Sequence, residues 1–184
     1  SPGAPEVPVA VEPVGGYVGS PIDEGIATGG RFAVDAILGL AGLPDGSTIG
    51  AWAVTAARLA ANTAARGRQS ILAVPDHRDL DQLEAALAGL GLGDLVLRLD
   101  AAQPSGARYR AFLTALGDAP HIVIGNRSAL LAPAKRLGLI LLWDDGDPLH
   151  REPLAPYAHA RDVALIRQSQ SGAGLVLLSH ARSV

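Results

Sequence analysis

The sequence has 184 residues, 48% hydrophobic and 18% charged, with no cysteine and a formal net charge of −3. That length and composition suit one globular domain. Disulfides and a thiolate zinc centre are excluded, no apolar run of about 20 residues offers a membrane span, and the acidic balance is not that of a stand-alone basic DNA-binding domain. No charged, apolar, small-residue leader opens the chain. Residues 1–30 carry five prolines and two Gly-Gly pairs. They read as a linker or the remnant of a preceding domain, with Val7–Val14 able to form one edge strand and a packed element not expected. Asp35–Leu40 reads as a first strand or a helical turn, ahead of the Pro44-Asp45-Gly46-Ser47 turn signal. Ala51–Arg66 is an alanine-rich helix closed by Gly67. Ser70–Val74 is a buried strand. Residues 78–90 form a helix with Leu80, Leu83, Leu87 and Leu90 on one face. Leu95–Leu99 is a strand. Pro104 opens a helix whose inward stripe is Tyr109, Phe112, Leu113 and Leu116. His121–Ile124 and Leu137–Trp143 are buried strands, His159–Gln170 is a helix with Val163 and Ile166 inward, and Leu175–Leu178 is the last strand. Alternating strands and helices predict a doubly wound α/β domain with a parallel sheet.

The two central strands end in polar clusters, Gly125-Asn126-Arg127-Ser128 and Asp144-Asp145-Gly146-Asp147. Ligands bind beyond the carboxyl ends of strands in open α/β sheets. The stretch Val123-Ile124-Gly125-Asn126-Arg127-Ser128-Ala129-Leu130-Leu131-Ala132-Pro133 resembles the "VIGTRSALFAP" motif of the PriA primosomal helicase family. Tyr157-Ala158-His159-Ala160-Arg161-Asp162 resembles that family's "YHARD", and Trp143-Asp144-Asp145-Gly146-Asp147 falls where the family carries its Walker B "DEEHD". The likeness is greatest to actinobacterial PriA-like proteins with degenerate nucleotide motifs, and covers roughly residues 33–184. It implies that residues 31–184 are a RecA-like first helicase lobe, a P-loop fold with helices on both faces of the sheet and a degenerate phosphate loop.

A working phosphate loop needs backbone N–H groups around phosphate, a lysine for the β and γ groups and a hydroxyl for Mg²⁺. In the family register the lysine falls at Trp52 and the hydroxyl at Ala53. Gly46, Ser47 and Thr48 keep the small and hydroxyl residues of a weak anion nest or of an ordinary turn. The Walker B aspartate falls at Trp143 and the catalytic glutamate at Asp144, beside Asp145. Neither half of a nucleotide site is expected to work, so no catalytic or nucleotide-binding residue is assigned. Trp143 is read as filling space vacated by nucleotide. Asp144, Asp145, Asp147, His150 and Glu152 are read as a solvated acidic loop, with no metal assigned. No Ser–His–Asp or Cys–His spacing suggests nucleophilic catalysis.

The resemblance instead implies DNA contacts. Asn126, Arg127 and Ser128 match a backbone-contacting motif, although Arg127 is equally suited to an ion pair with Asp144 or Asp147. His77 and Arg78 match a second such motif, weakened by Asp76, Asp79 and Asp81. Arg182 replaces the threonine of a motif that couples ATP to DNA movement. His159 and Arg161 read as a polar first turn with Asp162 as the acidic partner. The implied function is a DNA-binding replication-restart protein that recognises stalled or forked DNA and assembles a primosome without hydrolysing ATP. The alternatives are an active ATP-dependent helicase completed by other segments, or a replisome interaction module with no DNA role. The family uses ATP, Mg²⁺ and zinc, and none of their motifs is present here. DNA and primosome or replisome proteins are the implied partners, no membrane is expected, and the implied location is cytoplasmic and nucleoid-associated.

Overall fold

The computed structural model describes residues 10–17, 19–100, 103–151 and 159–181. Its frame is a six-stranded parallel sheet of β1 (Arg31–Asp35), β4 (Gln69–Ala73), β5 (Val96–Leu99), β6 (Ile122–Gly125), β7 (Leu137–Trp143) and β8 (Gly174–Ser179), in the order β1-β8-β7-β4-β6-β5. Every neighbouring pair runs parallel. All six carboxyl ends therefore lie along one edge of the sheet. The central strands β4, β6 and β7 are buried at every position, as uninterrupted apolar strands covered on both faces should be.

Helices α1 (Ile22–Ala27), α2 (Ala51–Ala65) and α3 (His77–Gly89) cover one face, where Trp52, Leu59, Leu80 and Leu87 meet Leu72, Ile124, Leu141 and Val176. The other face is covered by α4 (Ser105–Ala115), a 3-10 turn at Arg127–Leu131, and α5 (Ala160–Ser171), around Ile71, Val123, Ile140 and Leu175. This is the doubly wound α/β fold that the alternation predicts. Alanine makes α2 both a strong helix and a thin one, so it fits between the sheet and α3 with most of its residues buried. Asp76 caps α3, its carboxylate accepting from the N–H groups of Arg78 at 2.8 Å and Asp79 at 3.0 Å.

Four expectations need correction. Residues 22–30 are no linker: Ile22 and Ile26, one turn apart, bury α1 against the sheet, and Asp23 accepts from Asn62 on α2. Gly174 admits this helix, since a Cβ there would collide with Ile26. Of Val7–Val14, residues 7–9 lie outside the described part. Val14 is buried, and Glu12 pairs its backbone with the Asn62 amide. The first sheet strand is Arg31–Asp35 rather than Asp35–Leu40. The segment after it instead builds a small antiparallel hairpin, β2 (Leu40–Gly42) with β3 (Thr48–Gly50). On α4 the inward residues are Ala115 and, partly, Ala107 and Ala111, while Tyr109, Phe112, Leu113 and Leu116 are exposed. Ile166 likewise faces out, and α5 buries Ala160, Ala164 and Gln168.

Candidate functional site

Trp52, Ala53, His77, Arg78 and residues 126–128 and 143–145 lie at the carboxyl edge of the sheet, whereas the 44–47 turn packs beside Gly89 at the far end of α3. The hairpin turn carries Gly46 at φ +87°, and the Asp45 carboxylate accepts from both the N–H and the hydroxyl of Ser47. An anion approaching this turn meets a carboxylate already holding its donors. Thr48 is the first residue of β3, which runs directly into α2. The amides of that helix's cap residue and first residue are also occupied. Gly50 N–H donates to the Gln82 side chain at 2.8 Å, and Ala51 N–H donates to the Gly39 carbonyl at 3.0 Å. In the turn and at the head of α2, the Ser47, Gly50 and Ala51 N–H groups thus already have acceptors.

The two tryptophans meet. Trp52, in the first turn of α2, lies flat on Trp143, the last residue of β7, with ring centroids 4.1 Å apart and planes 7° from parallel. Both are buried. The Trp143 indole N–H donates to Asp79 of α3 at 3.1 Å, and His180, after β8, meets the Trp143 ring edge-on at 5.0 Å. Ala53 is fully buried beside them. The positions where the family resemblance expects a phosphate-binding lysine and a metal-binding aspartate are thus joined into one apolar stack.

The groups bordering the stack are acidic. Burial pushes the Asp79 carboxyl up to about 6, helped by the charges of Asp76, Asp144 and Asp147. The Asp144 carboxyl is also raised, by burial first and then by Asp147. Asp144 holds a left-handed backbone at φ +48°, a conformation aspartate tolerates better than most residues. Asp145 is buried and pairs with Arg161 at 3.5 Å. Arg161, expected to answer Asp162, therefore faces Asp145 instead, while His159 caps α5 by accepting from Arg161 N–H. His150 is fully buried, its Nε2 2.7 Å from the Trp143 carbonyl, and burial lowers its pKa. Among the described residues, no three His, Cys, Asp or Glu side chains converge as metal ligands. Glu152 lies outside them. This lining does not fit a nucleoside triphosphate with its Mg²⁺: indoles stand where the cation and the metal ligand would, and the nearby charges are negative.

The end of β6 is built differently. Gly125 is required there, since any Cβ would strike the Leu99 carbonyl of β5. The Asn126 amide donates to the carbonyls of Pro75 at 3.2 Å and Val74 at 3.4 Å, tying this turn to the end of β4. Arg127 donates to the Leu149 carbonyl at 3.3 Å. Ser128 is exposed. From the opposite side, the Arg167 guanidinium of α5 donates to the carbonyls of Leu130 and Ala132. The turn is therefore fixed at both ends and offers Ser128 outward. His77 and Arg78 are exposed on the first turn of α3, above the amides that Asp76 already caps. Arg182 lies outside the described residues. Sequence reasoning placed the two tryptophans in one site by resemblance. It missed the Asp79 and His180 contacts, which join segments far apart in the chain and leave no local signal.

No protein-family model matches the chain. Over 132 residues, 72% of this chain and 20% of the relative, it is 42% identical to the probable replication restart protein PriA of Mycobacterium tuberculosis. It is 38% identical over the same length to that of Mycobacterium leprae. It is 35% identical over 123 residues, 65% of this chain and 16% of the relative, to the replication restart protein PriA of Chlamydia pneumoniae. The chain thus spans about a fifth of the length of the mycobacterial relatives it matches. Among solved structures, the C-terminal domain of Saccharomyces cerevisiae Dbp5 bound to Gle1 and IP6 aligns with a TM-score of 0.48 at 15% identity, covering 62% of each chain. Among the described residues, no helix is long and apolar enough to cross a membrane.

Proposed function

The chain is a homologue of the replication restart protein PriA over about a fifth of that protein's length, and on that premise we propose that it is a first helicase-like lobe that contacts DNA during replication restart without hydrolysing ATP. The observation that carries this reading is the Trp52–Trp143 stack. Phosphoryl transfer depends on cations that offset developing negative charge. Here two indoles take the places of the lysine and the metal ligand, Asp79 accepts from the Trp143 N–H, and the charges of Asp144 and Asp147 act on Asp79. A triphosphate would have to displace a buried stack and approach carboxylates.

The end of β6 supports the DNA part of the reading. Arg127 and Ser128 sit on a rigid turn at the carboxyl edge, with donors of the kind that hold phosphate oxygens. His77 and Arg78 add exposed donors on α3, opposed by the acids beside them. Forked or single-stranded DNA is the proposed substrate class, primosome or replisome proteins are further partners, and the setting is the nucleoid.

The test is fluorescence anisotropy of labelled forked DNA at low and physiological salt, with titration of a fluorescent ATP analogue alongside. Salt-dependent DNA binding that weakens in Arg127→Ala, with no saturable ATP binding, is the expected result. ATP binding with DNA-stimulated phosphate release would establish the active-helicase alternative instead. Failure to bind forked DNA even at low salt would favour the interaction-module reading.

A further inference from the structure

Helix α4 is turned inside out relative to its sequence. It rests on the sheet through Ala107, Ala111 and Ala115, while Tyr109 is 64% exposed, Phe112 42% and Leu113 47%. Tyr109 and Phe112 border a groove of about 560 Å³ between α4 and the turn after β6, closed on its other side by Ser128 and Leu131. Arg108 lines the same groove, and Arg110 follows on the helix. Neither arginine has an ion pair among the described residues.

The one charged residue that lines this groove is a cation, Arg108. From Gln103 to Trp143 the basic residues are Arg108, Arg110, Arg127, Lys135 and Arg136, and the single acid is Asp118. Asp118 already faces Lys135 at 3.7 Å. Within the groove the cation is Arg108, beside the exposed rings of Tyr109 and Phe112, whereas Lys135 and Arg136 precede β7 at the other edge of the sheet. Arginines interleaved with rings fit a ligand that is anionic along its backbone and flat and apolar in its side groups.

We propose that the α4 groove is a base-stacking subsite for single-stranded nucleic acid, with Tyr109 and Phe112 stacking unpaired bases and Arg108 and Arg110 holding the flanking phosphates. The inference rests on the DNA reading above and extends it: Ser128 contacts the backbone on one wall, and the rings take bases on the other. Bases already stacked in a duplex cannot enter, so the groove selects single strands or the open arm of a fork. Every base has a π face, so the subsite tolerates any sequence.

The experiment uses the full 184-residue chain with a fluorescein-labelled dT15 oligonucleotide, and the same oligonucleotide with its central nucleotides made abasic. Tyr109→Ala/Phe112→Ala changes exposed side chains, and its urea midpoint serves as the folding control. The double variant is expected to bind dT15 about tenfold or more weakly, with the difference shrinking on the abasic strand. Phe112→Trp, which keeps a ring at that position, binds dT15 like wild type. Arg108→Gln/Arg110→Gln flattens the slope of log affinity against log salt by about 1.4, as two lost phosphate contacts require. If the aromatic variant binds dT15 like wild type while Arg127→Ala weakens it, the stacking subsite is wrong and the DNA reading stands. If no protein binds dT15 or forked DNA at low salt, both fall. If wild type self-associates in sedimentation, the aromatic variant does not, and dT15 affinity is unchanged, the face is a protein interface and the proposal is overturned.

Discussion

Trp52 and Trp143 stack at 4.1 Å between ring centroids, one from the start of α2 and one from the end of β7. The family resemblance puts a lysine and an aspartate at these positions, a pair that works because the charges oppose one another around a bound anion and metal. Replacing only one would leave a buried, unpaired charge, which costs several kcal/mol. Replacing both with large rings removes the charges and fills the space together. The stack makes the two positions direct neighbours.

The coupling is measurable. Trp52→Ala and Trp143→Ala are each expected to destabilise the domain by about 3 to 5 kcal/mol, from lost burial and the cavity left behind. The double variant should cost less than the sum by about 0.5 to 1.5 kcal/mol, the part belonging to the ring–ring contact. Urea unfolding of the four proteins gives the cycle. Strict additivity would mean that each ring packs independently and that the stack contributes nothing of its own.

Asp79 sets a pH dependence. Its carboxyl is pushed up to about 6 in the folded state, against an ordinary value of 3.8. Between those values the folded protein holds a proton that the unfolded chain has released. On this group's account, stability is therefore highest near pH 4 and falls as pH rises through 6. Asp79 is partly exposed, so the effect, after discounting for solvent screening, is about 1 to 2 kcal/mol. His150 acts in the reverse sense. Its pKa is lowered by burial, so its contribution is present above the unfolded value and lost as pH falls through that range. The informative comparison is therefore wild type against Asp79→Asn, which keeps an acceptor for the Trp143 N–H. The variant is expected to gain stability relative to wild type from pH 4 to pH 7, read from urea midpoints across that range. An unchanging difference would show that Asp79 does not titrate there.

The parts of the fold that are legible in sequence are those whose burial is complete. Leu137–Trp143 is apolar without a break and is covered on both faces, and α3 advertises itself through Asp76 and its leucine stripe. Other parts depend on close approach rather than on hydrophobicity. In α1, a six-residue helix among prolines and glycines, Ile22 and Ile26 were its signal, and the helix fits because Gly174 leaves room beneath it. The α4 sequence offers two stripes, one large and one of alanine. Periodicity favours the large one, whereas packing depth at the sheet favours the small one. The candidate site was legible as two residue types missing from a motif. That the replacements touch each other follows only from the sheet, which sets β7 beside the start of α2.

Gly125 tests how tightly β6 is held. A methyl group there would strike the Leu99 carbonyl and press on Ala129. Gly125→Ala is expected to destabilise by about 1 to 3 kcal/mol through overpacking, and to displace Asn126–Ser128 from the edge. Thermal unfolding reads the first effect, and loss of forked-DNA affinity beyond that of Ser128→Ala reads the second. A variant as stable as wild type would mean that β5 and β6 lie further apart than described.

Arg167 braces the same turn from behind, its planar guanidinium donating to two carbonyls at once, those of Leu130 and Ala132. A lysine ammonium has no fixed fork with which to meet both acceptors in one geometry. Arg167→Lys is therefore expected to behave nearly like Arg167→Ala, with about 1 to 3 kcal/mol lost in either case, since bonds to charged donors are stronger than neutral ones. Hydrogen exchange localises the effect: amides of Arg127–Leu131 should exchange faster in both variants, while those of β7, buried in the middle of the sheet, keep their protection. Unaltered exchange at 127–131 in Arg167→Ala would show that the turn is held from the β4 side alone, through Asn126 and the carbonyls of Val74 and Pro75.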